Sequence, residues 1–319
     1  MNYPLRRLLV FPLVMFGVSI FVFVSIRMVP GDAITAMLGT ESGLLTPVQR
    51  ESLKEYFGLD QNWLVQFSRW LGGVLQGDFG ISTTFGKPVM KVILEHFALT
   101  LELAVLSMVI ALGIGLPAGI FAATRKDSVA DLSVRVIAMI GQSTPGFVVG
   151  LLLIFVLSVG FGVLPAMGTF VPLAEDPLSN LAQMILPALT LGTAFAAAVI
   201  RISRSAMLDI LREDYVRTAR SKGMSRRRVI WRHALPNALI PVVTLSGVEF
   251  GYLLGGAVLV EQIFALPGLG RVVLDAILQR DYALVQGSVL FIAFNFMIVN
   301  LMVDLAYAAL DPRIRSASK

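Results

Sequence analysis

Ten basic residues fall within residues 201–232, a polar stretch between two apolar runs of helix length. The stretch carries Ala219 four residues before Gly223, and Leu235 and Pro236 follow it. Because glycine adopts a left-handed turn at little cost, the pattern predicts two short helices joined at Gly223. We call this segment, residues 212–236, the elbow. With the small Ala219 presented by its first helix, the elbow would let another protein approach its backbone closely, so the expected chemistry is docking rather than catalysis.

The second helix of the elbow is expected to be capped by Ser225 and to end before Pro236. Cytoplasmic loops of membrane proteins are generally rich in lysine and arginine, which would account for the charge. That tendency does not account for the spacing of the small residues and the proline. We therefore take the loop 201–237 as a candidate docking site.

Residues that could support other chemistry are few. The chain has no cysteine, which excludes disulfides and thiolate metal sites. Its two histidines, His96 and His233, lie far apart and offer no metal-ligand cluster. A phosphate-binding loop of the form G-x-x-x-x-G-K-[ST] does not occur, since Gly86 and Lys87 lack the upstream glycine. Energy for any driven process must therefore come from a partner or an ion gradient.

The elements that flank the elbow are apolar. Apolar residues make up 56% of the chain and charged residues only 15%, whereas soluble globular proteins average about 45–50% and about 25%. The mean hydropathy of +0.79 agrees with an integral membrane protein in a lipid bilayer. The net charge of +5 could suggest nucleic-acid binding, but the basic residues lie between apolar runs, which argues against it.

Six apolar runs are long enough to cross a membrane. A helix needs about 20 largely apolar residues to span about 30 Å of hydrocarbon at 1.5 Å per residue. The sequence therefore predicts an all-α integral membrane protein with six transmembrane helices. A cleaved signal peptide is a poorer interpretation of the first run, because no A-x-A-like site follows it. The predicted spans are Leu8–Ile26, Leu99–Ala123, Val136–Val163, Met184–Ile200, Ala238–Val260 and Val289–Ala309.

Lysine and arginine concentrate in alternate connections: before span 1, between spans 2 and 3, between spans 4 and 5, and after span 6. The positive-inside rule then places both termini in the cytoplasm. We divide the chain into an N-terminal transmembrane helix (1–28), an external segment (29–96), a five-helix core (97–310) and a cytoplasmic tail (311–319).

The external segment shows two helical patterns. Thr46, Pro47 and Gln49 have the sequence of a capping box with proline at the first helical position, and Gly58 is a natural end for that helix. A later stripe at helical spacing predicts an amphipathic helix on the membrane surface or packed on the spans. We expect a structural cover, with docking of an external protein as the alternative. The stripe comprises Trp63, Leu64, Phe67, Trp70, Leu71, Val74 and Leu75.

The elbow resembles the signature loop of the permease subunits of ATP-binding-cassette importers. That signature is E-A-A, three residues, G, nine residues and then I-x-L-P. This sequence departs from it at Arg217, which stands at the acidic position, and at His233, which replaces the isoleucine. Both departures are typical of the peptide and nickel branch of the family, but they leave the acidic position without an assigned role. The residues expected to couple to an ATPase are Arg217, Thr218, Ala219, Gly223, Leu235 and Pro236.

Further motifs of the same branch occur in the expected order along nearly the whole chain. A single one would be weak support, but several in order make the resemblance strong. They are Pro30–Asp32, Gly77–Ser82, Ser143–Phe147, Glu261–Gly270 and Arg280–Tyr282.

The resemblance implies a type I importer permease fold in a bacterial cytoplasmic (inner) membrane. The elbow would carry a coupling helix seated in a cleft of a cytoplasmic ATPase. The implied partners are a second homologous permease, two ATPase subunits that bind ATP and Mg²⁺, and an external solute-binding protein. This chain would hold no cofactor or metal itself. The expected function is a non-catalytic permease subunit that imports di- or oligopeptides by alternating access.

Several alternatives stay open. Within the same branch, nickel, glutathione and opine-like solutes are possible substrates. A secondary transporter driven by an ion gradient would predict internal repeats and more intramembrane acids, and an enzyme would need clustered polar residues within the spans. Polar or helix-breaking residues inside spans are candidates for a pathway or gate. The alternative for Glu249 is a structural role, and the alternative for Pro145 is a simple kink in its helix. These candidates are Gln142, Ser143, Pro145, Glu249 and Asn295.

Overall fold

The computed structural model describes residues 3–28, 46–49, 52, 61–165, 168–255 and 257–310. Two π-helical segments occur among these residues, Ile154–Gly160 and Val229–Ala234. The principal α-helices are α1 (Tyr3–Arg27), α2 (Trp63–Leu75), α3 (Val89–Thr124), α4 (Val129–Ser143), α5 (Gly146–Leu153), α6 (Pro177–Ile210), α7 (Asp214–Ser221), α8 (Arg226–Arg228), α9 (Leu235–Leu254), α10 (Val258–Ile263), α11 (Leu269–Leu278) and α12 (Tyr282–Leu310).

Within the described residues, five helical stretches are long and apolar enough to cross a membrane. They are α1, α3, α6, the continuous stretch Arg226–Leu254 and α12. A sixth crossing exists if α4, α5 and the π turn after α5 count as one broken span. Predicted spans 1, 2, 4 and 6 each lie inside one observed helix, so the apolar runs located these elements correctly.

The third predicted span, Val136–Val163, is not one straight helix. It is broken between α4 and α5, and the two parts are bent by 100°. Thr144 is extended, with φ −84° and ψ 122°, because the ring of the following Pro145 disfavours a helical conformation in the residue before it. The apolar run continues across the break, so hydropathy alone gave no sign of it.

The fifth predicted span, Ala238–Val260, is wrong at both ends. The helical stretch begins earlier, at Arg226, and ends at Leu254, before the separate short helix α10. The expected helix end before Pro236 is also wrong. Pro236 lies in the first turn of α9, directly after the π turn Val229–Ala234, where its missing N–H and its ring are tolerated.

Small residues bring the spanning helices together. α3 and α6 form the central pair, and a Cβ atom on Gly115 would lie only 2.6 Å from the Cβ of Val199. α9 packs on α12 in the same way, since a Cβ on Gly251 would lie 2.7 Å from the ring of Phe296. Without a hydrophobic force between helices in lipid, such close packing is what holds them together.

The described part of the external segment contains the start of the first predicted helix and the whole of the second. Thr46 N donates to Gln49 Oε1 at 2.9 Å and Gln49 N donates to Thr46 Oγ1 at 3.3 Å, which confirms the capping box. The predicted stripe forms α2, whose Phe67 and Trp70 rings lie 5.1 and 5.6 Å from the ring of Phe23 in α1. α2 therefore packs on the first span. Gly58, the motif Pro30–Asp32 and the tail 311–319 lie outside the described residues.

Candidate coupling elbow and broken helix

The elbow has the predicted glycine turn. α7 ends at Ser221, and Gly223 has a φ of +77°, the left-handed conformation that favours glycine. A Cβ atom there would meet no atom within 4 Å, so the turn is open to an approaching surface. Ser225 occupies the predicted capping position, but its side chain makes no capping hydrogen bond.

Ala219 lies inside the elbow rather than on its surface. Its side chain is 7% exposed and clusters with Val216 and Val229, which are fully buried. The prediction that α7 presents Ala219 to a partner is therefore wrong. The physical reason is local: α7 folds back on the π turn, and a methyl group is small enough to let the two segments touch.

The other predicted coupling residues lie at or near the surface. Arg217, Thr218 and Pro236 are exposed, and Leu235 is half-buried. The Arg217 guanidinium lies 3.3 Å from the Asp214 carboxylate, but both groups are well exposed and such a pair contributes little to stability. The surface of α7 is thus charged and available, while its inner face is apolar.

A polar contact fixes α7 against the next span. Tyr215 Oη donates to the His233 carbonyl at 3.4 Å and accepts from Asn237 Nδ2 at 3.1 Å. Asn237 Nδ2 also donates to the His233 carbonyl, at 3.1 Å. The elbow is consequently held to the start of α9 both by its apolar cluster and by this hydrogen-bonded contact.

The break between α4 and α5 brings together three of the predicted pathway residues. Gln142 and Ser143 end α4, Pro145 immediately precedes α5 at its N-cap, and all three are exposed. Gln142 Oε1 accepts a hydrogen bond of 2.9 Å from the guanidinium of Arg201 in α6. The break therefore places the amide of Gln142 against the exposed guanidinium of Arg201 in α6.

Glu249 and Asn295 lie on other helices. Glu249 is half-buried in α9 and forms no hydrogen bond or ion pair with the residues that the structure describes. Asn295 Nδ2 donates to the Phe291 carbonyl at 2.8 Å, so its amide donor has a partner within its own helix. No hydrogen bond in the described part of the chain joins either residue to Gln142. Glu102 in α3 is a further half-buried acid within a predicted span, and the sequence analysis missed it.

A buried ion pair anchors α4 to α6. The Asp131 carboxylate is fully buried and accepts two hydrogen bonds from Arg204, at 2.6 and 2.7 Å. Asp127 N adds a third at 3.0 Å. Arg204 thus belongs to the interior rather than to the docking surface that the basic stretch suggested. The pattern Ser128-x-x-Asp131 was the available signal, since Ser128 caps α4.

A second buried carboxylate joins α3, α10 and α11. Glu261 is fully buried; its Oε1 accepts from Thr100 Oγ1 at 2.8 Å and its Oε2 accepts from Arg271 N at 2.8 Å. Thr100 Oγ1 in turn accepts from Leu269 N at 2.9 Å. We call this set the Glu261 clamp. Burial raises the pKa of Glu261, and the hydrogen bonds from Arg271 and Thr100 partly oppose the shift.

Gly268 is part of the Glu261 clamp because its Cα leaves room for the carboxylate. A Cβ there would lie within 2.6 Å of Glu261 Oε2. The motif Glu261–Gly270 therefore has a structural reason: the acid needs a glycine and free backbone N–H groups at the start of α11. Sequence reasoning recognised the motif but not this role.

A third buried carboxylate, Asp281, starts α12. It accepts from Leu284 N at 3.1 Å, from Thr84 N at 3.0 Å and from the hydroxyl of Ser82. Asp281 thus caps the last span and holds the turn that precedes α3. The motifs around Ser82 and Asp281 meet here. No group of three or more potential metal ligands occurs in the described residues.

Comparison with known families gives a match over most of the chain. Residues 115–316 match the family described as "Binding-protein-dependent transport system inner membrane component". The matched region covers α4 to α12, the elbow included.

Full-length relatives are found in Escherichia coli (strain K12). The chain is 41% identical over 315 residues to the glutathione transport system permease protein GsiC, covering 99% of each chain. It is 40% identical over 338 residues to the dipeptide transport system permease protein DppB, again covering 99% of each chain. The similarity includes the external segment and the first span.

Solved structures share the fold. Two crystal forms of the inward-facing MetNI methionine ABC transporter match with TM-scores of 0.54 and 0.55 at 20% and 17% sequence identity. Each match covers 70% of this chain and 97% of the matched chain. At such low identity the likeness shows the arrangement of helices alone.

Proposed function

We propose, because the chain belongs to the family of binding-protein-dependent transport system inner membrane components, that it forms the translocation path of a peptide importer together with a second permease subunit. The chain is a multi-pass membrane permease and not an enzyme. ATP binding and hydrolysis, with Mg²⁺, belong to two partner ATPase subunits, and an external binding protein delivers the solute.

The elbow is the observation that carries this proposal. It offers an exposed, cationic helix and an open left-handed turn at Gly223, and both rest on a buried apolar cluster. A helix with such a surface can enter the cleft of an ATPase without unfolding. The positive-inside rule places it, with both termini, on the cytoplasmic side.

The packing provides a route for mechanical coupling. The cluster of Val216, Ala219 and Val229 also contacts Ile210 and Leu211 at the end of α6. A displacement of α7 would therefore move α6 and the stretch Arg226–Leu254 together. The ion pair of Asp131 and Arg204 would pass this motion to α4.

The break between α4 and α5 then becomes the place where the path opens. Thr144 and Pro145 leave no continuous helix there, so α5 can reorient without breaking helical hydrogen bonds. Gln142 and Arg201 would face the moving solute. Their amide and guanidinium groups suit the backbone and carboxylate of a short peptide.

Short peptides are the substrate class that the relatives favour. One relative is named for glutathione, itself a short peptide, and another for dipeptides. Nickel and opine-like solutes are the alternatives within the same branch, and neither of these two relatives is named for them.

The test is purification of a tagged chain from its native membrane in mild detergent, followed by mass spectrometry and transport in liposomes. We expect an ATPase and a second permease to accompany the chain, and labelled dipeptide to enter the liposomes only when ATP and the binding protein are supplied. Uptake by the chain alone, driven by an ion gradient without ATP, would contradict the proposal.

A further inference from the structure

An open depression of about 710 Å³ lies at the beginning of the stretch Arg226–Leu254. It combines three cations with one indole ring and has no acidic group in its lining. Its lining residues are Ser225, Arg227, Arg228, Trp231 and Arg232.

These side chains share one face of the helical stretch. Arg227 and Trp231 are four residues apart, as are Arg228 and Arg232, a spacing that makes them neighbours on a helix. Val229, also in this turn, is fully buried against α7. The cationic face is therefore distinct from the face that holds the elbow together.

The length of the stretch Arg226–Leu254 is comparable to the thickness of a bilayer with its headgroups. Its 29 residues extend about 43 Å at 1.5 Å per residue, whereas the hydrocarbon core is about 30 Å and the bilayer with its headgroups about 40–45 Å. A stretch of this length that crosses a bilayer is long enough for its first turns to reach the headgroup layer. Trp231, which is 59% exposed, is of the residue type that concentrates at that level.

The guanidinium groups in the depression have no protein partner among the described residues. Among the residues that the structure describes, Arg227, Arg228 and Arg232 form no ion pair and no side-chain hydrogen bond. The neighbouring Arg226, by contrast, donates to the Thr124 carbonyl and ties the stretch to the end of α3. Guanidinium groups form bidentate hydrogen bonds with the oxygens of phosphates and carboxylates, so three arginines without an acidic neighbour make the depression a site for an anion.

We propose that this depression binds the headgroup of an anionic phospholipid of the phosphatidylglycerol type. The inference rests on the proposed function for the cytoplasmic position of the elbow, where the surface potential of the membrane is negative. The phosphate sits between the arginines, and Trp231 packs against the glycerol backbone. A bound lipid would then support the elbow from the side opposite α7.

The test compares lipid retention in the complex purified from its native membrane. Native mass spectrometry counts phosphatidylglycerol molecules on the wild type, on the double variant Arg228→Gln/Arg232→Gln, and on a control, Arg125→Gln/Lys126→Gln. The control removes two exposed charges from the connection between α3 and α4, outside the depression. We expect the Arg228/Arg232 variant to need at least tenfold more phosphatidylglycerol for the same occupancy, and the control to match the wild type.

Equal loss of lipid in both variants would overturn the proposal, because it would show only a general effect of surface charge. Full lipid retention with loss of the ATPase from the Arg228/Arg232 variant would also overturn it, since an acidic partner would then occupy the depression. If the wild type retained lipid but never carried an ATPase, the proposed function would fail while the lipid site stood.

Discussion

The elbow and the Glu261 clamp both hold separate helices together, yet they distribute charge in opposite ways. The elbow keeps its cations outside and buries small apolar side chains such as Val216, Ala219 and Val229. The Glu261 clamp buries its carboxylate completely and surrounds it with backbone N–H groups and a hydroxyl. The first arrangement suits a surface that binds a partner, and the second suits a rigid contact between helices.

The comparison predicts its largest effect at the Glu261 clamp. Glu261→Ala removes the acceptor for the Thr100 hydroxyl and Arg271 N and leaves a void beside Gly268. Each buried donor that loses its acceptor costs about 1–3 kcal/mol, so the variant should fail to accumulate or should unfold at a much lower temperature. Membrane abundance and thermal unfolding in detergent measure this. Wild-type abundance and stability would show that the clamp is dispensable.

The elbow should respond in function rather than in stability. Gly223→Asp places a side chain and a negative charge at a φ of +77°, on the surface proposed to meet the ATPase. We expect uptake to fall more than tenfold while the chain stays in the membrane. Uptake by membrane vesicles, normalised to the amount of the chain, measures this.

The matched control for that substitution is Gly86→Asp in the turn before α3. Gly86 also has a positive φ, +60°, and no atom lies within 4 Å of its Cβ position. The backbone strain is therefore similar, but the residue is far along the chain from the elbow. Similar loss of uptake in both variants would indicate strain as the cause and would remove the support for docking at Gly223.

Overpacking the inner face of the elbow should have an intermediate effect. Ala219→Leu adds three carbons to a side chain that is 7% exposed between Val216 and Val229. Such overpacking costs typically about 1–3 kcal/mol and should push α7 away from the π turn. We expect a lower temperature of thermal unfolding and weaker recovery of the ATPase with the purified chain, whereas Thr218→Leu on the exposed face should leave the unfolding temperature unchanged. Equal unfolding temperatures for Ala219→Leu and the wild type would argue against the role of the cluster.

The smallest effect concerns pH. Because burial raises the pKa of Glu261 above its ordinary 4.5, the folded state holds this proton more tightly than the unfolded chain does. The corresponding stabilisation is present below about pH 4.5 and is lost as the pH rises through the raised pKa. Glu261→Gln, which cannot titrate, should flatten this part of the stability profile. Identical pH profiles of unfolding for both chains would contradict the raised pKa.

The sequence predicted what depends on local patterns. Apolar runs located the spanning helices, the triplet Thr46, Pro47 and Gln49 predicted a capping box that forms, and a glycine between two polar helices predicted the turn at Gly223. Pro145 was recognised as a helix-breaking residue, but the 100° bend that divides its span into α4 and α5 was not predicted, since hydropathy does not change there. Whether Gln142 or Glu249 lines the path stays a prediction.

Contacts between distant parts of the chain could not be predicted in this way. Asp131 and Arg204 are 73 positions apart, Thr100 and Glu261 are 161 apart, and Ser82 and Asp281 are 199 apart. A single sequence shows each residue as an isolated acid, alcohol or cation. Ala219 was misplaced for a similar reason, because its small size fits an inner contact as well as an outer one.

The long separation within the Glu261 clamp has a consequence for how the protein is made. The ribosome adds about 5–20 residues per second, so Thr100 emerges about 8–32 s before the carboxylate that receives its hydrogen bond. Until then the outer end of α3 has no fixed neighbour in α10 or α11. Closure of the clamp therefore waits until synthesis has passed Arg271, and a chain that stops short of Glu261 lacks this contact between α3 and the helices α10 and α11.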